Sequence, residues 1–237
     1  MYWPLMEETI TLKDRLKMAA FILTSSRLTN GPKVRQLEEK WSEWLGVKHS
    51  LYVSSGSTAN TLLVSSIKEH YGLKDGDKVL VPACTWVTNI APVIQANLEP
   101  IFCDINLDNY SFDEEELKYI AEQHPDIKAV FITHLIGLSS DVEKVKEIFP
   151  NALIMEDVCE SHGVEGPNGK RGRDSVGSTF SFYFGHHITT IEGGMVCTNN
   201  SDLYQLMRMK RSHGMAREAS PELFKKYSAE NPDVDPA

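Results

Sequence analysis

The spacing of apolar residues changes period repeatedly along the chain. Leu12, Leu16, Ala19 and Ala20 recur on one helical stripe, predicting a helix over Leu12 to Ile22. A turn at Thr29-Asn30-Gly31 leads to Pro32, which suits a helix opening. The helix to Leu45 places Val34, Leu37, Trp41, Trp44 and Leu45 inward, and Gly46 ends it. Beyond a short strand at Ser50 to Val53, helices and strands alternate. Helices are predicted over Gly56 to Tyr71, Trp86 to Gln95, Phe112-Asp113 to Gln123 and Asp141 to Ile148. Strands fall between them at Lys78 to Val81, Ile101 to Asp104, Ala129 to Thr133 and Ala152 to Met155. Ala129-Val130-Phe131-Ile132 is apolar on both faces, as in a strand covered on both sides. The pattern predicts an α/β fold with a mostly parallel sheet between helices. No internal repeat or low-complexity linker interrupts it.

A helix is predicted over Asp202 to Lys210, and Glu218 to Ala237 is then polar, with Pro221, Pro232 and Pro236. This suggests a main domain over 1–217 and a polar tail over 218–237, cut within a loop.

Thr179 to Thr198 departs most from core building. Phe180, Phe182 and Phe184 alternate with Ser181 and Tyr183 at the period of a strand, and Gly193-Gly194 turns the chain into apolar Met195-Val196-Cys197. Between these strands lie His186 and His187, beside Thr189 and Thr190. One exposed and one hydrogen-bonded core histidine would account for them, as would a proton-transfer role.

Three further motifs follow predicted strands, where ligands of open parallel sheets bind. Ser54-Ser55-Gly56-Ser57-Thr58-Ala59-Asn60 opens a helix, and small residues there let N–H groups and hydroxyls approach an anion. An ordinary N-cap by Ser55 or Ser57 explains the motif equally well. Trp86, in Pro82-Ala83-Cys84-Thr85-Trp86, has a face for a planar ring, although a tryptophan there also suits a core. Asp157, in Glu156-Asp157-Val158-Cys159-Glu160-Ser161-His162, ends an apolar strand and could pair with a protonated nitrogen or serve as a cap. An anion cradle, a stacking face, a carboxylate and a base together suit pyridoxal phosphate.

Composition narrows the partners. The 237 residues carry a net charge of −9, which provides no basic surface for nucleic acid. No apolar run approaches the roughly 20 residues of a membrane helix. Cys84, Cys103, Cys159 and Cys197 are scattered, which predicts reduced thiols in the cytoplasm and no cysteine-ligated metal.

The order GST, PACTW, EDVCE, FSFYFGHH, EGG resembles the sugar aminotransferase family of pyridoxal-phosphate enzymes from about Pro4 to Arg217. The resemblance implies the large domain of a fold type I transferase, with a smaller C-terminal domain missing, and a homodimer that shares its active site. In the family a lysine before EGG bonds the cofactor; here His186 stands in its place. That replacement resembles the nucleotide-sugar 3-dehydratase branch. The branch acts on nucleotide-linked 4-keto-6-deoxy sugars in deoxysugar biosynthesis, including that of lipopolysaccharide O-antigen. By the same resemblance Gly56, Ser57 and Ser181 hold the cofactor phosphate, Trp86 stacks on the ring, Asp157 meets the ring nitrogen, and Glu160 lies near the ring hydroxyl. His186 is then the base, acting with pyridoxamine phosphate, which L-glutamate regenerates from pyridoxal phosphate.

Thr29, His213 and Arg217 are implied as substrate contacts. A helix-linking turn explains Thr29 nearly as well, and solvated charge after a helix explains the other two. A related dehydrase branch carries an iron–sulfur cluster on cysteines after EGG, but 199–237 contains no cysteine. Other readings are an aminotransferase with altered or lost activity, a non-catalytic binding protein of this fold, and a zinc hydrolase. Against zinc, neither HxxxH nor HExxH spacing occurs.

Overall fold

The computed structural model describes residues 8–232. Pro4, Pro236 and the rest of 1–7 and 233–237 lie outside the described residues. The chain opens with α1 (Leu12–Thr24), α2 (Pro32–Leu45), β1 (His49–Val53) and α3 (Gly56–Tyr71). Then come β2 (Lys78–Pro82), α4 (Ala91–Gln95), β3 (Glu99–Cys103), α5 (Glu114–Gln123), β4 (Ala129–Thr133), α6 (Val142–Ile148) and β5 (Leu153–Asp157). A small hairpin of β6 (Glu165–Gly166) and β7 (Gly169–Lys170) precedes β8 (Gly177–Ser181) and β9 (Gly194–Thr198). α7 (Ser201–Arg211) and α8 (Pro221–Glu230) follow.

Seven strands form one sheet in the order β1-β9-β8-β5-β4-β2-β3. β9 pairs antiparallel with both β1 and β8, whereas the other pairs are parallel, so β9 alone runs against the rest. The carboxyl ends of β1, β2, β4, β5 and β8 therefore share one edge of the sheet with the start of β9. Helices cover both faces. On one, α3 and α7 pack Leu63, Ile67, Leu203 and Met207 onto Val79, Phe131, Met155 and Val196. On the other, α5 and α6 cover Val130, Ile132 and Ile154, and α2 covers Phe180, Met195 and Cys197 with Trp41 and Leu45. β4 is buried along its whole length, as its run of apolar residues predicts.

Several elements depart from the sequence pattern. The helix predicted over Trp86 to Gln95 is a 3-10 turn at Val87–Asn89 followed by α4. Pro92 has no N–H to continue a ladder from the preceding turn. Phe184 does not extend β8; the strand ends at Ser181, and Phe184 is exposed on the loop beyond. The apolar stripe of α1 faces outward, with Leu12 71% and Leu16 63% exposed. Beyond Glu218, where the pattern predicts no element, α8 forms because Ser220 accepts a hydrogen bond from Leu223 N and Pro221 takes its first turn.

Candidate functional site

The shared edge of the sheet holds a cavity of about 520 Å³. Gly56, Ser57, Trp86, Asp157, Glu160, Ser181 and His186 all line it, although they come from four separate stretches of chain. Each stretch follows a strand, so the topology that ends the strands together also gathers these side chains.

The start of α3 forms one wall. Ser55 caps the helix, its Oγ accepting from Thr58 N while Thr58 Oγ1 accepts from Ser55 N. The Gly56 and Ser57 N–H groups precede the first carbonyl a helix could offer them, and the helix dipole adds positive potential there. A Cβ on Gly56 would lie 2.8 Å from Ser181 Cβ and 3.0 Å from Cys159 Sγ, so only glycine lets the helix start approach β8 this closely. The result is a cradle of N–H groups and hydroxyls from Ser57 and Ser181, with the size and polarity of an anion site.

Asp157 is the last residue of β5 and is 3% exposed. Its Oδ1 accepts from Cys159 N at 2.9 Å, and its Oδ2 accepts from Asn60 Nδ2 at 2.8 Å. Asn60 Oδ1 accepts in turn from Thr179 Oγ1 at 2.6 Å. These bonds set the direction of a buried carboxylate that also faces the cavity. Trp86, which also lines the cavity, is 62% exposed, a planar face available for stacking. Glu160 Oε2 accepts from Ile136 N at 3.3 Å, tying the loop after β4 to the cavity wall.

His186 sits on the loop between β8 and β9, half-buried, and its N–H donates to Tyr183 O at 3.0 Å. Burial lowers its pKa, against the pull of Glu160 and Asp157, which favour the imidazolium. A neutral imidazole is thereby favoured near neutral pH, the state that can accept a proton. Behind it, His162 packs among Trp41, Phe180 and Phe182, with ring centroids 6.1 Å from His186 and 5.7 Å from His187. Both of its ring nitrogens are buried without a hydrogen-bond partner, and burial pushes its pKa down to about 3. Among the described residues, no three His, Cys, Asp or Glu side chains converge to hold a metal ion.

The three substrate candidates lie elsewhere. Thr29 lines a neighbouring cleft with Tyr52, Thr190 and Arg211. Arg217 lines a second cleft with Glu38 and Arg211, and His213 is exposed just past α7 with a φ of 64°.

Residues 10–233 match the DegT/DnrJ/EryC1/StrS aminotransferase family. The chain belongs to this family. It is 36% identical over 220 residues to the GDP-4-keto-6-deoxy-D-mannose 3-dehydratase of Yersinia pseudotuberculosis, covering 91% of this chain and 55% of that protein. The E. coli GDP-4-keto-6-deoxy-D-mannose-3-dehydratase structure with bound hydrated PLP superposes with a TM-score of 0.86 at 31% identity. That match covers 91% of this chain and 56% of the other. Another structure of a GDP-4-keto-6-deoxymannose-3-dehydratase, with a trapped PLP-glutamate geminal diamine, gives a TM-score of 0.85 at 31% identity, over 91% of this chain and 56% of that one. The chain thus spans about half the length of these relatives.

The motif reading did not single out Asn60, Thr179 or Tyr52 as parts of the site. Asn60 left a signal: it is a polar residue on the stripe of Ala59, Leu63 and Ile67, which α3 buries. Tyr52 left none, because a tyrosine in a strand is ordinary.

Proposed function

We propose that the protein is a pyridoxal-phosphate/pyridoxamine-phosphate-dependent 3-dehydratase of a nucleotide-linked 4-keto-6-deoxy sugar, acting in deoxysugar biosynthesis. L-Glutamate is the donor that regenerates pyridoxamine phosphate, and a homodimer is the working form. One observation supports the reading: half-buried His186, its pKa lowered by burial, lines the same cavity as the start of α3, Trp86 and the buried Asp157 carboxylate.

The residues present fit the cofactor, because the cavity combines an anion cradle, formed where only glycine lets α3 approach β8, with a buried carboxylate oriented by Asn60. Gly56, Ser57 and Ser181 would take the phosphate, Trp86 the ring face, Asp157 the ring nitrogen and Glu160 the ring hydroxyl. When bound, the cofactor supplies an electron sink that allows a proton beside its nitrogen to be lost and the carbon-three hydroxyl to leave. His186 is the group that takes that proton, and it cannot bond the cofactor covalently as a lysine amine does. Asp157, held by Asn60 and the Cys159 N–H, keeps its orientation without rearrangement during the reaction. Thr29, His213 and Arg217 are proposed as substrate contacts, with Thr29 the best supported, since its cleft includes Thr190 of the His186 loop.

His186→Asn tests the role of the base. The variant is expected to bind the cofactor with its absorbance intact and to lose at least about a hundredfold in turnover. Full turnover with cofactor bound would overturn the assignment.

A further inference from the structure

A knot of hydrogen bonds below the histidine loop involves a residue outside the cavity. The loop is closed at its base by Phe182 N donating to Gly193 O at 2.8 Å and Thr190 N donating to Phe182 O at 3.0 Å. Thr189 Oγ1 donates to the same Phe182 carbonyl at 3.0 Å and accepts from Ile191 N at 2.8 Å. Ile191 has a φ of 74°, a conformation that a β-branched residue adopts only when its surroundings enforce it.

Tyr52 of β1 meets the residues on either side of Ile191 from the edge of the sheet. Its hydroxyl donates to Glu192 O at 2.8 Å and lies 2.9 Å from Thr190 Oγ1, which also donates to Glu192 O at 2.8 Å. A Cβ on Gly193 would collide with both the Tyr52 hydroxyl and Thr190 Oγ1, so glycine at that position lets the knot close. The Tyr52 ring runs parallel to Phe182, with centroids 6.3 Å apart and planes 9° apart. Its backbone is held in turn: Tyr52 N donates to Glu38 Oε1 at 2.9 Å, and Arg211 donates to Tyr52 O at 3.1 Å and to the same Glu38 oxygen at 3.0 Å. α2, α7 and β1 thus converge on one phenol that grips the loop at Thr190 and Glu192, four and six residues beyond His186.

We propose that Tyr52 is a positioning residue for His186. Its hydroxyl, through Thr190 and the Glu192 carbonyl, holds the 183–192 loop in the one conformation that presents the imidazole to the cavity. The inference rests on His186 being the base. Its test is chosen so that the two can fail separately.

Tyr52→Phe keeps the ring and removes only the hydroxyl. In the cofactor-free protein, amide hydrogen exchange within 183–192 is expected to rise about fivefold or more, the loss of roughly one net hydrogen bond, while exchange in α3 and β5 stays unchanged. Thr190→Val should reproduce the effect, Thr190→Ser should restore slow exchange, and Tyr52→Phe with Thr190→Val should exceed neither variant alone. With cofactor, kcat should fall by roughly ten- to a hundredfold at unchanged cofactor affinity, as for a misplaced catalytic group. Unchanged exchange in 183–192, or a rise spread evenly over the whole chain, would overturn the proposal. Absent turnover in the unaltered protein would count against the proposed function, and the exchange result would still decide the role of Tyr52.

Discussion

His162 and His186 lie side by side, yet burial acts on them with different consequences. His186 faces the cavity and keeps a route for protons, whereas His162 is enclosed by Trp41, Phe180 and Phe182 with neither nitrogen bonded. With the His162 pKa near 3 in the folded chain and near ~6.5 unfolded, both states are neutral above the unfolded value. As pH falls from about 6.5 towards 3, only the unfolded chain takes up the proton, so stability falls across that window. His162→Phe should therefore lose less of its urea midpoint between pH 7.5 and 5 than the unaltered protein; equal losses would contradict this origin. Asn60 is a second decisive residue. Asn60→Leu strips one hydrogen bond each from buried Asp157 and Thr179, which is expected to cost about 1–3 kcal/mol and to weaken cofactor binding. Denaturant titration together with cofactor absorbance checks both effects. At this scale Asp157 and His186 were legible because polar chemistry stands out at the end of an apolar strand or between two of them. Asn60 and Tyr52 act through partners more than 90 residues distant in sequence, and no local pattern records those pairings.

Among the elements, the start of α3 carries most of the site. Its boundaries were readable from Ser55, Gly56 and the later Gly72, because capping and left-handed termination are local events. What local patterns could not show is that Gly56 faces Ser181 across a gap with no room for a methyl group. Gly56→Ala should force α3 away from β8, destabilising the fold by about 1–3 kcal/mol and weakening cofactor binding more than Ser57→Ala does. Equal cofactor affinity in the two variants would show that the close approach is not what forms the cradle. The region after Trp86 departs from its pattern for a related reason: a helical apolar spacing continues through Pro92, but the backbone cannot follow it. α8 leaves little trace in the pattern, because its polar, proline-flanked sequence resembles a loop apart from the Ser220 cap.

Over the whole molecule, strand order decides that four separate stretches meet in one cavity. Alternation of strands and helices pointed to a parallel sheet, but the order β1-β9-β8-β5-β4-β2-β3 and the reversed β9 depend on pairings far apart in sequence. The outward Leu12, Leu16, Ile22 and Leu23 of α1 show the same limit: a helical stripe marks which residues share a face and not what covers it. No described helix is long and apolar enough to cross a membrane. The central claim joins fold, cavity and histidine into one reaction, so it is tested most directly by the product. The protein is incubated with a GDP-linked 4-keto-6-deoxy sugar, pyridoxal phosphate and L-glutamate, and the sugar product is analysed by mass and NMR. The account predicts a sugar lacking the oxygen at carbon three. A 4-amino sugar with that oxygen retained would contradict it, because transamination would then proceed with histidine in the lysine's place.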